Sequence, residues 1–484
     1  MFWKMLTSPC PHAWRGRLFK GGFRKKAPFS GLGAVDLWNI NINNNLNQEK
    51  LFEQFPPVST KEWMDKINAE LKGDDFYERM VWKTGEGFDV MPFYRREDIE
   101  NLHHVDAFLP LFSRGDVRQP ADRGAYSSAN HWLVRQNIKV TDYSASNKKA
   151  LEILMKGIDS LGFIIEDPET INEKNFRLLL EGIDPEGSEI NFLSNGKARE
   201  IISLLIRISG ENRFKRSSIR GAVEADPLGR LIINGTLCVP VEAGFDYLAS
   251  LTKDNLHFPY YRNIRINGPN FTNADCGAVR ELAFSISMAV EYLSQITGRG
   301  VSAGDVLSKI RFSFGTGSGY FMEIAKLRAA RIIWALVTDT YNPGDRIENR
   351  MQIHSVTKVW KDAVSDPYIN MLRTQTEAMS AVLGGTDSLT VNPFDIASGE
   401  TGEFAERIAR NQQLILREEA YFDKVADPAS GSYYIENLTA LVAENAWRLF
   451  IEIEDNGGFL SALNSGFILK KMAGPATHEV KNSL

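Results

Sequence analysis

The chain has 484 residues, 43% of them hydrophobic and 24% charged, which is an ordinary globular composition with enough length for a large core and two or three domains. A formal net charge of −5 supplies no basic field for nucleic acid or an anionic membrane, and no apolar run is long enough to span a bilayer. Cys10, Cys238 and Cys276 lie far apart without metal-ligand spacing, which fits a reducing, cytoplasmic setting and excludes a disulfide framework.

The first 31 residues carry seven Lys or Arg and no acid. That pattern fits an organelle transit peptide, or a disordered tail added by a mis-called start; Pro9, Pro11 and Gly21-Gly22 spoil an amphipathic helix and fit the second reading better. Residues 1–45 are read as basic tail and linker, and 46–129 as an N-terminal helical extension. In "STKEWMDKINAEL", Ser59 or Thr60 caps a helix, Glu62 falls in its first turn, and Trp63, Ile67 and Leu71 recur at helical spacing.

From about residue 130, short β-branched or aromatic runs alternate with helical patterns. The predicted strands are "HWLVRQNIKV", "GFIIE", "INFLS", "SIRGAV", "RNIRIN", "IRFSFGTG", "QIHSVT" and "SLTVNPF". Among the helices, "YFMEIAKLRAARIIWALVTD" places Phe321, Ile324, Leu327 and Trp334 among its apolar positions, and "PYINMLRTQTEAMSAVLGG" stops at Gly384-Gly385. Eight alternations argue for an α/β fold, a (β/α)₈ TIM barrel over residues 130–455, with 456–484 as a linker or tail. An open doubly wound sheet is the competing architecture. It would need a glycine-rich phosphate loop; "GTGSGYF" at Gly315–Phe321 follows a strand but lacks the Lys-Ser/Thr ending, and close strand–helix packing explains it better.

The chemistry on offer is sparse. No two of the seven histidines have metal spacing on one helix, and His103-His104 read as a solvated surface pair. His354 is placed near the C-terminal end of the "QIHSVT" strand, the catalytic end of such a barrel, and is either functional or a hydrogen-bonded rim residue. The loop "NGPNFTN" follows a strand and precedes a long helix, yet nothing in it titrates near neutral pH.

Four long segments carry a resemblance: "FMEIAKLRAARIIWA", "DPYINMLRTQTEAMSAVLGGTDSLTVNPFD", "FAERIARNQQLILREEA" and "VADPASGSYYIENLT" closely resemble methylmalonyl-CoA mutase. More weakly, the resemblance runs from about residue 50 to 460. It implies a substrate barrel that threads a CoA ester along its axis, followed by a cobalamin-binding domain with an Asp-x-His-x-x-Gly loop. Adenosylcobalamin then supplies a radical for the isomerisation of methylmalonyl-CoA and succinyl-CoA, a step of propionate metabolism.

The positions that match the family's site are changed. Where catalytic members have the tyrosine of Arg-Gln-Tyr-Ala-Gly-Phe, this chain has Asn137. Glu224 replaces the glutamine of Gly-Thr-Ile-Gln-Asn-Asp, and Asn234 stands at the approximate offset of the carboxylate-binding arginine. A glutamate there would repel a dicarboxylic acyl group. Asn270 replaces the histidine of Ser-Gly-Tyr-His-Met-Gln-Glu-Ala-Gly, and Val356 replaces a glutamine beside the retained His354. No Asp-x-His-x-x-Gly loop follows, through truncation, gene split or lineage loss. The resemblance therefore implies the small (beta) subunit of a heterodimeric mutase. No catalytic, cofactor-binding or metal residues are expected in it, and the adenosylcobalamin of the complex is expected on the large subunit. The alternatives are the substrate-binding half of a split acyl-CoA mutase, or a remnant that binds CoA thioesters.

Overall fold

The computed structural model describes residues 55–102, 104, 130–194, 196–341, 350–360, 366–399 and 401–473. The basic N-terminus, the polar linker, His103 and His478 lie outside the described residues.

The expected barrel forms. Its strands are β1 Leu133–Lys139, β2 Ser160–Ile165, β3 Glu189–Ser194, β4 Gly221–Ala225, β5 Tyr261–Asn267, β6 Ile310–Thr316, β7 Ile353–Thr357 and β8 Ser388–Thr390. Each is parallel to its neighbours in chain order, and β8 closes the sheet on β1. All eight predicted strands are these. The helices around them are α1 Tyr143–Leu154, α2 Glu173–Leu180, α3 Ala198–Glu211, α4 Val241–Asp254, α5 Ala278–Thr297, α6 Tyr320–Tyr341, α7 Ile369–Gly384 and α8 Glu403–Leu414, with α9 Tyr433–Asp455 outside.

Alternation along the strands explains why the barrel closes. Leu161, Phe163 and Ile165 on β2, Ile190 and Phe192 on β3, and Phe312 and Phe314 on β6 face the helices and are buried; Phe312 meets Trp334 of α6 edge-on at 4.8 Å. Between β4 and β5 the register shifts, with Ala222 opposite Arg262 but Ala225 opposite Ile264. Gly221 opens β4 with φ 137°, and a Cβ there would lie 1.8 Å from the Ile190 carbonyl oxygen, so only glycine fits.

Helix α6 differs from its expected pattern. Phe321 is 52% exposed, whereas nearly every residue from Met322 to Thr338 is buried. α9 packs against α6, so the helix is enclosed along most of its length. Its cations are buried with partners: Arg328 meets Glu436 of α9 at 2.7 Å, and Arg331 donates to the Met351 carbonyl at 2.7 Å. Helix α7 ends as predicted, with Gly385 at φ 96°.

Residues 55–83 with 89–92 belong to a separate compact unit. Its helix Thr60–Glu70 starts with the expected capping box: Ser59 Oγ accepts from the Glu62 amide and Glu62 accepts from the Ser59 amide. A short antiparallel pair, Trp82–Lys83 with Asp89–Val90, completes it.

Candidate functional site

In a catalytic barrel of this type the ligand contacts lie on the inward strand positions and the C-terminal rim. Here the inward positions carry opposite charges that meet across the lumen. Arg135 of β1 donates from Nη1 to Glu224 Oε1 of β4 at 3.0 Å, and Arg265 Nη1 of β5 lies 2.7 Å from Glu224 Oε2. Arg311 of β6 pairs with Glu189 of β3 at 2.6 Å and donates to Ser388 Oγ of β8 at 2.9 Å. β1 and β4 are three strands apart in the closed sheet, as are β3 and β6, so these bonds pass through the interior.

Arg135, Glu189, Glu224 and Arg311 are all buried. Burial works against the charge of Arg135 and lowers its pKa, with Glu224 opposing the shift. Burial also pushes the Glu224 carboxyl up, but the guanidinium groups of Arg265, Arg135 and Arg311 outweigh it and hold it below the ordinary carboxylate value. Glu224 is therefore a neutralised member of a network, not the free repulsive charge that the sequence suggested.

Asn137 also joins this network: Arg135 Nε donates to its Oδ1 at 3.1 Å. A Cβ on Gly162 of β2 would lie 2.0 Å from that oxygen, so the amide occupies the space that a glycine leaves. His354 is buried at the second position of β7, toward the start of the strand and not near its C-terminal end as expected. Its Nδ1 is 2.8 Å from Ser388 Oγ and its Nε2 is 3.4 Å from Thr390 Oγ1. Burial first, and then the guanidiniums of Arg135, Arg311 and Arg265, push its pKa well below the usual histidine value, so the ring is neutral. Ser388 Oγ also accepts from Arg311 Nη2 at 2.9 Å.

The remaining candidates lie at the rim. Asn270 sits in a short helical turn, Pro269–Thr272, where its Oδ1 accepts from Asn267 Nδ2 at 2.9 Å and its Nδ2 donates to the Gly229 carbonyl at 3.4 Å. Phe271 turns inward onto Phe284, with ring centroids 5.1 Å apart. Val356 is half-buried on β7. Asn234 is exposed at the end of a helix that begins at Pro227, and the structure does not bring it to the lumen. His104 overturns the surface reading: it is fully buried, with Nε2 2.8 Å from Glu436 Oε2, because α9 supplies a buried carboxylate. Gly315 of "GTGSGYF" packs closely, as expected, since a Cβ there would strike Thr272 Oγ1.

Comparison with known proteins places this geometry. The family model for methylmalonyl-CoA mutase matches residues 83–483. The chain belongs to the methylmalonyl-CoA mutase family. It is similar to the methylmalonyl-CoA mutase small subunit of Porphyromonas gingivalis, with 40% identity over 87% of this chain and 67% of the relative. It is also similar to the methylmalonyl-CoA mutase of Cereibacter sphaeroides, with 32% identity over 84% of this chain and 59% of the relative, and to the human mitochondrial enzyme, with 29% identity over 87% and 58%. The chain thus spans about two thirds of the small subunit and less than that of the other two.

Within this member of the mutase family, the charges in the lumen match no catalytic motif of the sequence. Their signal was present: "NIRIN" and "KIRFSF" each set an arginine between apolar strand residues, at the inward parity. Among the described barrel strands, no histidine offers a free nitrogen to cobalt. His354 is the histidine of the eight strands, and it is buried with both ring nitrogens engaged. Among the described residues no group of three or more His, Cys, Asp or Glu could hold a metal ion, and no helix is long and apolar enough to cross a membrane.

Proposed function

We propose that this chain is the non-catalytic small subunit of a two-subunit methylmalonyl-CoA mutase and stabilises a catalytic large subunit that binds adenosylcobalamin. The observation that carries this reading is the cross-barrel pairing of Arg135, Arg265 and Glu224. Those side chains occupy the axis along which a mutase barrel threads its CoA ester, and the Glu224 carboxylate is already held by both guanidiniums. A substrate would have to break buried ion pairs to enter, at a cost that remote binding contacts would need to offset. Asn137 and Asn270 are engaged in bonds to neighbouring protein groups, and His354 is locked and neutral; all three support the same reading. The similarity to a small subunit supports the presence of a partner subunit, and a bound partner stabilises by mass action.

The test is direct. The purified chain, supplied with adenosylcobalamin and methylmalonyl-CoA, is expected to show no turnover and no cobalamin binding. Co-expressed with a mutase large subunit, it is expected to co-purify and to raise that subunit's melting temperature. Turnover by the isolated chain, or failure to co-purify, overturns the proposal.

A further inference from the structure

We infer that the C-terminal half of the barrel lumen is a binding cup for one short-chain monocarboxylate, held by Arg265 and Asn137 and walled by Ile164, Leu193 and Val356. Strand alternation places the walls. Phe163 and Ile165 of β2 and Phe192 of β3 face the helices, so Ile164 and Leu193 face the lumen. These two are register partners on adjacent strands and stand side by side. Val356 lies two positions after the inward His354 on β7 and shares its parity. All three wall residues are partly exposed, whereas Arg135, Glu189, Arg311 and His354, nearer the strand starts, are buried. The ion pairs therefore form a floor, and the lumen above it is open to solvent. An eight-stranded barrel has interior room for one small ligand.

The floor is not electrically closed. It contains the guanidiniums of Arg135, Arg265 and Arg311 against the carboxylates of Glu189 and Glu224. His354 is neutral and adds no charge. Asp226, at the rim, is already engaged by Tyr292 Oη at 2.6 Å and by the Gly229 amide at 2.8 Å. Arg265 is the most open of the three arginines: its side chain is 18% exposed, against 1% for Arg135 and 8% for Arg311. Its Nη1 pairs with Glu224 and its Nε donates to Ser313 Oγ at 3.3 Å, while its Nη2 has no partner among the described residues. Asn137 uses its Oδ1 to accept from Arg135, and its Nδ2 has no partner among the described residues. Free donors beside apolar walls suit a ligand with one anionic head and a short hydrocarbon tail. A second carboxylate on the tail would be desolvated against the walls without a counter-charge.

Calorimetric titration of the full chain in low-salt buffer at neutral pH tests the cup. Sodium butyrate is expected to bind saturably at one site. Butyramide keeps the tail and lacks the charge, and should bind at least about tenfold more weakly. Acetate lacks two methylene groups, each contributing about a factor of four when buried, and should also bind about tenfold more weakly. Chloride should compete no better than acetate. Arg265→Gln should weaken butyrate binding at least about tenfold. Val356→Trp fills the cup and leaves every charge in place, so it should abolish binding; it decides the matter if Arg265→Gln does not fold. Absence of saturable butyrate binding, equal binding of butyramide, chloride binding as tight as butyrate, or butyrate binding unchanged in either variant overturns the inference. Neither a partner subunit nor cobalamin enters the measurement, so its failure leaves the subunit proposal standing.

Discussion

Replacing Glu224 with glutamine tests whether the ionic filling holds the barrel together. Glu224 stands between Arg135 at 3.0 Å and Arg265 at 2.7 Å, and the Arg135 side chain is 1% exposed. The amide keeps the shape and one acceptor but removes the charge, leaving Arg135 desolvated without its main counter-charge. Breaking one partner out of a buried pair costs about 3–5 kcal/mol. With an unfolding entropy of ~2.1 cal/mol/K per residue over roughly 400 residues, 4 kcal/mol corresponds to a fall of ~5 °C in melting temperature. Calorimetry of wild type, Glu224→Gln, Arg135→Met and the double variant closes a cycle in which the pair should couple by at least ~2 kcal/mol. The double variant should recover part of the loss, because Arg135 is no longer a buried unpaired charge, while Arg265 still lacks its partner. A single variant that melts within a degree of wild type, or two effects that simply add, would falsify the claim that these charges depend on each other.

Two further outcomes follow from buried bases. Burial lowers the Lys309 pKa to about 7 while its ammonium donates to the carbonyls of Phe258 and Tyr261. Between about 7 and the ordinary 10.5 the unfolded chain binds the extra proton, so this residue makes stability rise with pH across that window; urea titrations should show the rise, and Lys309→Met should remove it. His354, held neutral, should show no imidazole titration between pH 5 and 8 by nitrogen NMR of labelled protein; a midpoint near the ordinary 6.5 would contradict its enclosure by three guanidiniums.

The outward-facing half of the barrel was legible in the sequence. Runs such as "GFIIE" and "INFLS" must bury their apolar positions under helices, and this period alone located the strands. The inward-facing half was less legible, because what an arginine or glutamate does there depends on a strand distant in the chain. Arg135 and Glu224 are 89 positions apart and meet only because the sheet closes. The same limit misplaced His104, whose partner Glu436 lies 332 positions away. Asn234 went astray for a local reason: the stretch that begins at Pro227 folds as a helix capped by Asp226, which carries that offset away from the lumen. The resemblance to a family marked Asn137, Glu224 and Asn270 as changed positions, but the partners that now engage them became visible only in three dimensions.

A lumen filled with paired ions has a consequence for how the barrel finds its register. Hydrocarbon side chains tolerate a sliding neighbour, since one methyl group meets another almost as well. Here Arg135 and Arg311 are each matched to a carboxylate three strands away. A slip of β4 by a single residue would turn Glu224 from the axis into the helix layer, leaving Arg135 and Arg265 facing each other without a counter-charge. Mis-registered closures are thereby penalised more steeply than in an oily interior, and the ions act as a lock on strand alignment.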